Sequence, residues 1–257
     1  SADTYKDYIL TMLFLKYISD VWQDHYEGYK TEYGDEPELI DEMMKNERFV
    51  LPPSASFYSL YDSRHEPGNG ERIDQALHAI EEANGTKLKD AGKSVFQDIS
   101  FNTDKLGEEK QKNTILRHLL EDFAKPDLNL NPSRVGTLDV IGNAYEYLIK
   151  NFAASGGQKA GEFYTPHEVS LIMSNIVADH LKGREEIQIY DPTSGSGSLL
   201  LNIGQAVAQR TGNAGRIKYY AQELKENTYN LTRMNLVMRG IQPDNIVTRN
   251  GDTLADD

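Results

Sequence analysis

Three acidic residues and one glycine-rich turn are the groups in this chain with chemistry to offer. Asp191 closes a short β-branched and aromatic run, Ile187-Gln188-Ile189-Tyr190. Pro192, Thr193 and Ser194 follow, then Gly195-Ser196-Gly197-Ser198 and an apolar run from Leu199. That order reads as strand, tight turn, helix. So little side-chain bulk in the turn lets a ligand approach its backbone. The first N–H groups of the helix have no partner inside it and face whatever sits there. Glu223 follows a second strand-like run, Ile217 to Ala221, and Asp252 follows a third, Asn245 to Thr248. In a parallel sheet these strand ends share one edge, so the acids converge on one crevice. An acid after the second strand is placed to grip two ribose hydroxyls, and one after the third to accept from an adenine amino group. Nicotinamide dinucleotides and S-adenosylmethionine share that need. Each acid read singly could instead be a helix cap or a solvated loop residue; their repeated placement argues against this.

The elements that must position these residues follow from periodicity. From Ile187 onward strand and helix alternate, with helices expected at about 197–210 and 225–239 and stops at Thr211-Gly212-Asn213 and Arg239-Gly240. This is βαβαβ, hence a parallel sheet with right-handed crossovers. Just before it, Thr165 is a good N-cap, Pro166 a good first helical residue, and Glu168 completes a capping box. The helix they open runs through Val169, Ile172, Met173, Ile176 and Val177. Ala153 to Gly161 is small and polar, either a linker or a loop that closes over a ligand. Upstream the pattern is helical: 3–26, near 36–47, 73–83, 113–124 and 135–152, punctuated by Pro52-Pro53, Glu66-Pro67-Gly68-Asn69-Gly70, Pro126 and Pro132. The division expected is a helical domain over 1–154 and a sheet domain over 155–257.

Composition bounds the function. The chain has 257 residues, 39% hydrophobic and 26% charged, with no cysteine and six scattered histidines. Disulfides and thiolate metal sites are excluded, and no histidine pair has a zinc-ligand spacing, so no metal is expected. No apolar run approaches the roughly 20 residues that span a bilayer, and no signal-peptide pattern opens the chain, so a cytoplasmic protein without a membrane partner is expected. The net charge of −13 argues against DNA binding through a general electrostatic field. Any phosphate-neutralising surface must be a local patch or belong to a partner.

The glycine turn lacks the third glycine of G-x-G-x-x-G. Its pattern, Asp191-Pro192-x-x-Gly195-Ser196-Gly197, resembles motif I of the S-adenosylmethionine-dependent amino-methyltransferases of DNA. Gly161-Glu162-Phe163-Tyr164-Thr165-Pro166, placed upstream of it, resembles motif X of the modification subunit of type I restriction-modification systems. The preceding helical region is similar to that family's N-terminal domain. The resemblance implies a helical domain followed by the first half of a doubly wound, Rossmann-like methyltransferase sheet. It implies adenine N6 methylation of DNA with S-adenosylmethionine as donor. Gly161 through Pro166 would wall the methionine end of the cofactor, with Phe163 and Tyr164 open to the alternative of ordinary core aromatics. Asp191 and the turn Gly195-Ser196-Gly197-Ser198 would hold the amino-acid portion, Glu223 the ribose and Asp252 the adenine. The partners implied are DNA, a specificity subunit, a restriction subunit and a second copy of the methyltransferase subunit.

The sequence departs from the family at one point. The [NDS]-P-P-[FYW] motif that orients the target amino group and stacks on the flipped base does not occur: Asn131-Pro132-Ser133 lacks the second proline and Leu51-Pro52-Pro53-Ser54 lacks the polar residue. The expectation is an N-terminal piece, with three sheet strands, much of the cofactor pocket, no catalytic residue, an exposed strand edge and no activity alone. The rival readings are a non-catalytic S-adenosylmethionine or nucleotide-binding module and an interaction scaffold with a dead pocket.

Overall fold

A computed structural model of the chain describes residues 2–255 apart from 35, 48, 86–87, 91–92, 97–98, 137, 157–163 and 213. It divides into two compact units, Asp7–Leu138 and Asp139–Asp257 with the first six residues.

The first unit is built on α1 (Ala2–Tyr33), longer than the apolar period predicts. The polar stretch after Tyr26 carries no apolar face but holds helical form. Around it stand α2 (Pro37–Lys45), α3 (Phe57–Asp62), α4 (Asn69–Asn84), α5 (Glu109–Phe123) and the single turn α6 (Pro132–Val135). The sequence pattern did not announce α3. It is too short to show a period, and its start is set by the Ser56 hydroxyl, which accepts from the Ser59 N–H at 3.1 Å. One short antiparallel pair, β1 (Lys89–Asp90) with β2 (Lys93–Ser94), departs from an all-helical expectation. The unit's core holds Met12, Phe14, Leu15, Ile40, Phe57, Ile73, Ile80, Leu116 and Leu120, all buried.

Asn69 and Gly70, expected in a loop, instead open α4. Asn113 Oδ1 accepts the Asn69 N–H at 2.9 Å, and the Asp74 carboxylate accepts from Phe101 N, Asn102 N and Ser100 Oγ. The helix start and the 100–102 segment are thereby pressed together. A β-carbon on Gly70 would stand 2.6 Å from the Phe101 carbonyl oxygen. Backbone cannot swing aside as a side chain can, so Gly70→Ala should destabilise by about 1–3 kcal/mol, read as a lower urea midpoint at unchanged m-value.

The second unit contains α7 (Val140–Gly156), α8 (His167–His180), β3 (Ile187–Asp191), α9 (Ser198–Thr211), β4 (Ile217–Glu223), α10 (Glu226–Met238) and β5 (Ile246–Asn250). The strands form a parallel sheet in the order β3-β4-β5, with Ile187 opposite Ile217 and Tyr219 opposite Ile246. Strands and intervening helices lie within one or two residues of their expected bounds. One sheet face is apolar, with Ile187, Ile189, Ile217, Tyr219 and Ala221 packed with Leu200, Val207, Leu236 and Ala178. Tyr190 and Val247 alternate to the other face and are exposed. β3 and β5 are the sheet edges among the described residues.

α8 differs from its expectation in two ways. Its N-cap is Pro166, with no side-chain capping bond, so the Thr165–Glu168 capping box does not form; Thr165 instead lines a cavity. Its buried face is the small one, Ser170, Ser174 and Ala178, while Ile172 and Ile176 are 62% and 65% exposed. Small residues let α8 lie close along α9, where Asn202 Nδ2 donates to Ser170 Oγ at 2.8 Å and Arg210 reaches Asn175 and Asp179. No helix among the described residues is long and apolar enough to cross a membrane.

Candidate cofactor-binding site

The carboxyl ends of β3, β4 and β5 open onto a cavity of about 670 Å³, within the range of small-molecule sites. Asp191, Glu223 and Asp252 all line it, one from the end of each strand or just beyond. Gly195, Ser196 and Ser198 of the turn line it too, as do Tyr164 and Thr165. Gly197 sits among them as the N-cap of α9, and Pro166 is the N-cap of α8. Gly161, Glu162 and Phe163 lie outside the described residues, as do 157–160; the linker or loop expected from Ala153 begins later than that, because α7 continues through Gly156.

The turn takes its shape from its glycines. Gly195 and Gly197 have φ of 57° and 79°, left-handed values that a side chain resists. Gly197 gives α9 no side-chain cap, so the first N–H groups from Ser198 onward have no partner within the helix. Two side chains of α10 brace the turn from below. Thr232 Oγ1 donates to the Gly195 carbonyl at 2.6 Å, and Asn235 Nδ2 to the Ser196 carbonyl at 3.0 Å. Both are buried. The sequence reading missed them; the helix carries several other polar residues, Asn227, Thr228, Asn230 and Arg233 among them, so nothing in its pattern singles these two out.

Glu223 ties the turn to the sheet. Its Oε2 accepts the Gly195 N–H at 3.1 Å and its Oε1 the Lys225 N–H at 3.0 Å. Its own carbonyl accepts from Gly251 N at 3.1 Å and Asn250 Nδ2 at 2.9 Å, fixing the end of β4 against β5. Each carboxylate oxygen keeps a further lone-pair site, enough for two hydroxyl donors. Asp252 accepts the Leu254 N–H at 2.9 Å, and Thr253 Oγ1 donates to the Pro192 carbonyl at 2.6 Å, closing the far wall. Leu224 and Leu254 line the cavity yet are 64% and 98% exposed, apolar surfaces that a flat ring could cover.

Asp191 is less comfortable. Burial pushes its carboxyl above the ordinary 3.8, the Thr193 N–H at 3.0 Å pulls it back in part, and the Glu223 charge adds to the rise. The folded chain therefore holds this proton more tightly than the unfolded one. That stabilisation is complete below about pH 3.9, the ordinary range of an aspartate, and is lost as pH rises through the folded value. Asp191→Asn keeps an acceptor for Thr193 and drops the charge. Thermal melts should find it more stable than the native chain at pH 7, the gap closing as the pH falls.

Among the described residues no group of three or more His, Asp or Glu is placed to hold a metal ion. The fold and crevice define a class, a parallel α/β unit carrying a glycine turn and strand-end acids. The match to the N-6 DNA Methylase family over residues 136–257 agrees with it, and the HsdM N-terminal domain family matches residues 1–123. The chain belongs to the family of type I restriction-modification methyltransferase subunits. It is 29% identical to the type I restriction enzyme MpnII methylase subunit of Mycoplasma pneumoniae, across 98% of this chain and 49% of that protein. It is 33% identical to the HindI methylase subunit of Haemophilus influenzae, across 69% of this chain and 37% of that one. A crystal structure of a type I methyltransferase subunit from Streptococcus thermophilus superposes with a TM-score of 0.74 at 32% identity, covering 100% of this chain and 56% of that one. The chain thus spans about half or less of the length of the curated relatives it matches.

Proposed function

We propose that this chain is the cofactor-binding part of a DNA adenine-N6 methyltransferase that uses S-adenosylmethionine. The observation that carries the reading is the convergence of Asp191, Glu223 and Asp252 with the glycine turn on one cavity. The residues fit the cofactor's groups. The uncapped start of α9 and the bulk-free turn suit a carboxylate. Glu223 has acceptor sites for a ribose diol. Asp252 with Leu224 and Leu254 suits a purine, one polar edge and two apolar faces. Tyr164 and Thr165 would flank the methionine end, continuing the 161–166 segment. When bound, the cofactor supplies a methyl group on a positively charged sulfur.

On this reading the chain's own residues bind and orient. No [NDS]-P-P-[FYW] sequence occurs in the 257 residues, so they hold the donor and do not by themselves place a target base. The net charge of −13 suits a subunit whose DNA reading is delegated to a specificity subunit. The other partners of this reading are a restriction subunit and a second methyltransferase subunit.

Equilibrium dialysis with methyl-labelled S-adenosylmethionine tests the proposal. Retained label should be displaced by S-adenosylhomocysteine and untouched by NAD. Displacement by NAD alone would return the site to a dinucleotide fold. The 257 residues incubated with DNA should yield no N6-methyladenine in digested nucleosides, and yield at the level of an intact enzyme would overturn the assignment of roles.

A further inference from the structure

The cavity has a fourth carboxylate that neither the sequence motifs nor the strand ends supply. One face of α7 presents Gly142, Tyr145 and Glu146, spaced by three and four residues, to the same space as the glycine turn. Gly142 sets how close α7 comes. Its N–H donates to Asp139 Oδ1 at 2.8 Å, and a β-carbon there would collide with the hydroxyl of Ser198, the first residue of α9. Glu146, one turn further along α7, therefore lines the same cavity as the start of α9.

The other acids in the cavity are already engaged. Glu223 takes two backbone N–H groups, Asp191 takes Thr193 N and Asp252 takes Leu254 N. Glu146 is half-buried and has no hydrogen-bond or ion-pair partner among the described residues. A carboxylate in a partly desolvated wall without a donor is poised for a cation. An α-amino acid carries both charges on one carbon. If its carboxylate lies on the first N–H groups of α9, its ammonium sits within one group's width of them, and α7 is brought against that helix start where Gly142 meets Ser198.

Resting on the cofactor reading above, we infer that Glu146 receives the ammonium of the ligand's amino-acid half and so selects a zwitterionic amino acid over an uncharged tail. It is a binding residue contributed by the helix that precedes the 161–166 segment.

The test is calorimetric titration of the 257-residue chain, Glu146→Gln and Glu146→Asp with S-adenosylmethionine, S-adenosylhomocysteine and 5′-methylthioadenosine. Glu146→Gln should bind both amino-acid-bearing ligands about 10- to 100-fold more weakly, the worth of one charged hydrogen bond. 5′-Methylthioadenosine has no amino-acid half and should bind both chains alike, which also reports that the variant is folded. Glu146→Asp should recover part of the loss. Unchanged binding of S-adenosylhomocysteine overturns the assignment while leaving the cofactor reading intact. A loss confined to S-adenosylmethionine would place Glu146 at the sulfonium and overturn it too. Equal weakening of all three ligands would mark a merely structural residue, and a native chain that binds none of them would remove the cofactor reading itself.

Discussion

Asp20→Ala should destabilise the helical unit by about 3–5 kcal/mol, the cost of stranding a buried charge. Asp20 is 0% exposed and Lys16, one turn earlier on α1, is 3% exposed. Lys16 Nζ lies 2.5 Å from Asp20 Oδ2 and donates to the Leu128 carbonyl at 3.0 Å. It stands 5.5 Å from the centroids of the Phe57 and Tyr58 rings. Asp20 also accepts from Tyr58 OH at 2.5 Å and from Leu130 N at 2.7 Å. Those contacts join α1 to α3 and to the turn that follows α5. Burial and the contact with Asp20 together raise the Tyr58 hydroxyl well above its usual range, so it stays a donor. Alanine would orphan an ammonium, a hydroxyl and an amide at once. Lys16→Met with Asp20→Leu should recover only the part owed to the stranded ammonium, since the amide and hydroxyl left behind still cost about 1–3 kcal/mol each when unsatisfied. Urea midpoints of the single and double variants decide it. A cost below about 1 kcal/mol for Asp20→Ala would mean that the pair is solvated.

The two units were legible to different degrees, and the reasons are physical. The sheet unit announces itself because each strand is a short β-branched or aromatic run ended or soon followed by an acid, with glycines at left-handed positions beside its helices. Gly197 and Gly212 flank α9 in that way. Asp191, Glu223 and Asp252 could be placed on one edge because parallel topology leaves no other arrangement. Periodicity failed where burial is bought with small residues instead of large ones. In α8 it picked out Val169, Ile172, Met173 and Ile176, all exposed, because the tight seam on α9 is made by Ser170, Ser174 and Ala178. It also passed over Thr232 and Asn235, since their partners are carbonyls of a turn distant in sequence. Glu146 is invisible for the same reason. A lone acid on an amphipathic helix reads as a solvated face, and only the fold brings it into the cavity that Ser198 also lines.

Glu223→Ala should weaken binding of S-adenosylhomocysteine by about 10²- to 10⁴-fold, as expected when two hydrogen bonds to a charged acceptor are lost. Two roles converge on this side chain. Toward the ligand it offers the lone pairs that its backbone donors leave unused. Toward the protein it holds Gly195 N and Lys225 N, and so keeps the turn at the end of β3 in register with the end of β4. Glu223→Gln separates the roles. Its carbonyl oxygen can still accept one of the two N–H groups, while its amide turns a donor toward the other group and toward a ribose hydroxyl. It should therefore melt between the alanine variant and the native chain yet bind the ligand far more weakly. If Glu223 only shapes the turn, affinity tracks stability, and glutamine restores both to the same partial extent. The discriminating ligand is adenine itself, which has no diol. Its binding should be indifferent to Glu223→Gln and should fall with Asp252→Ala, whose carboxylate follows β5 and lines the same cavity. An adenine affinity that drops equally with either substitution would mean that the acids along this edge do not divide the ligand between them.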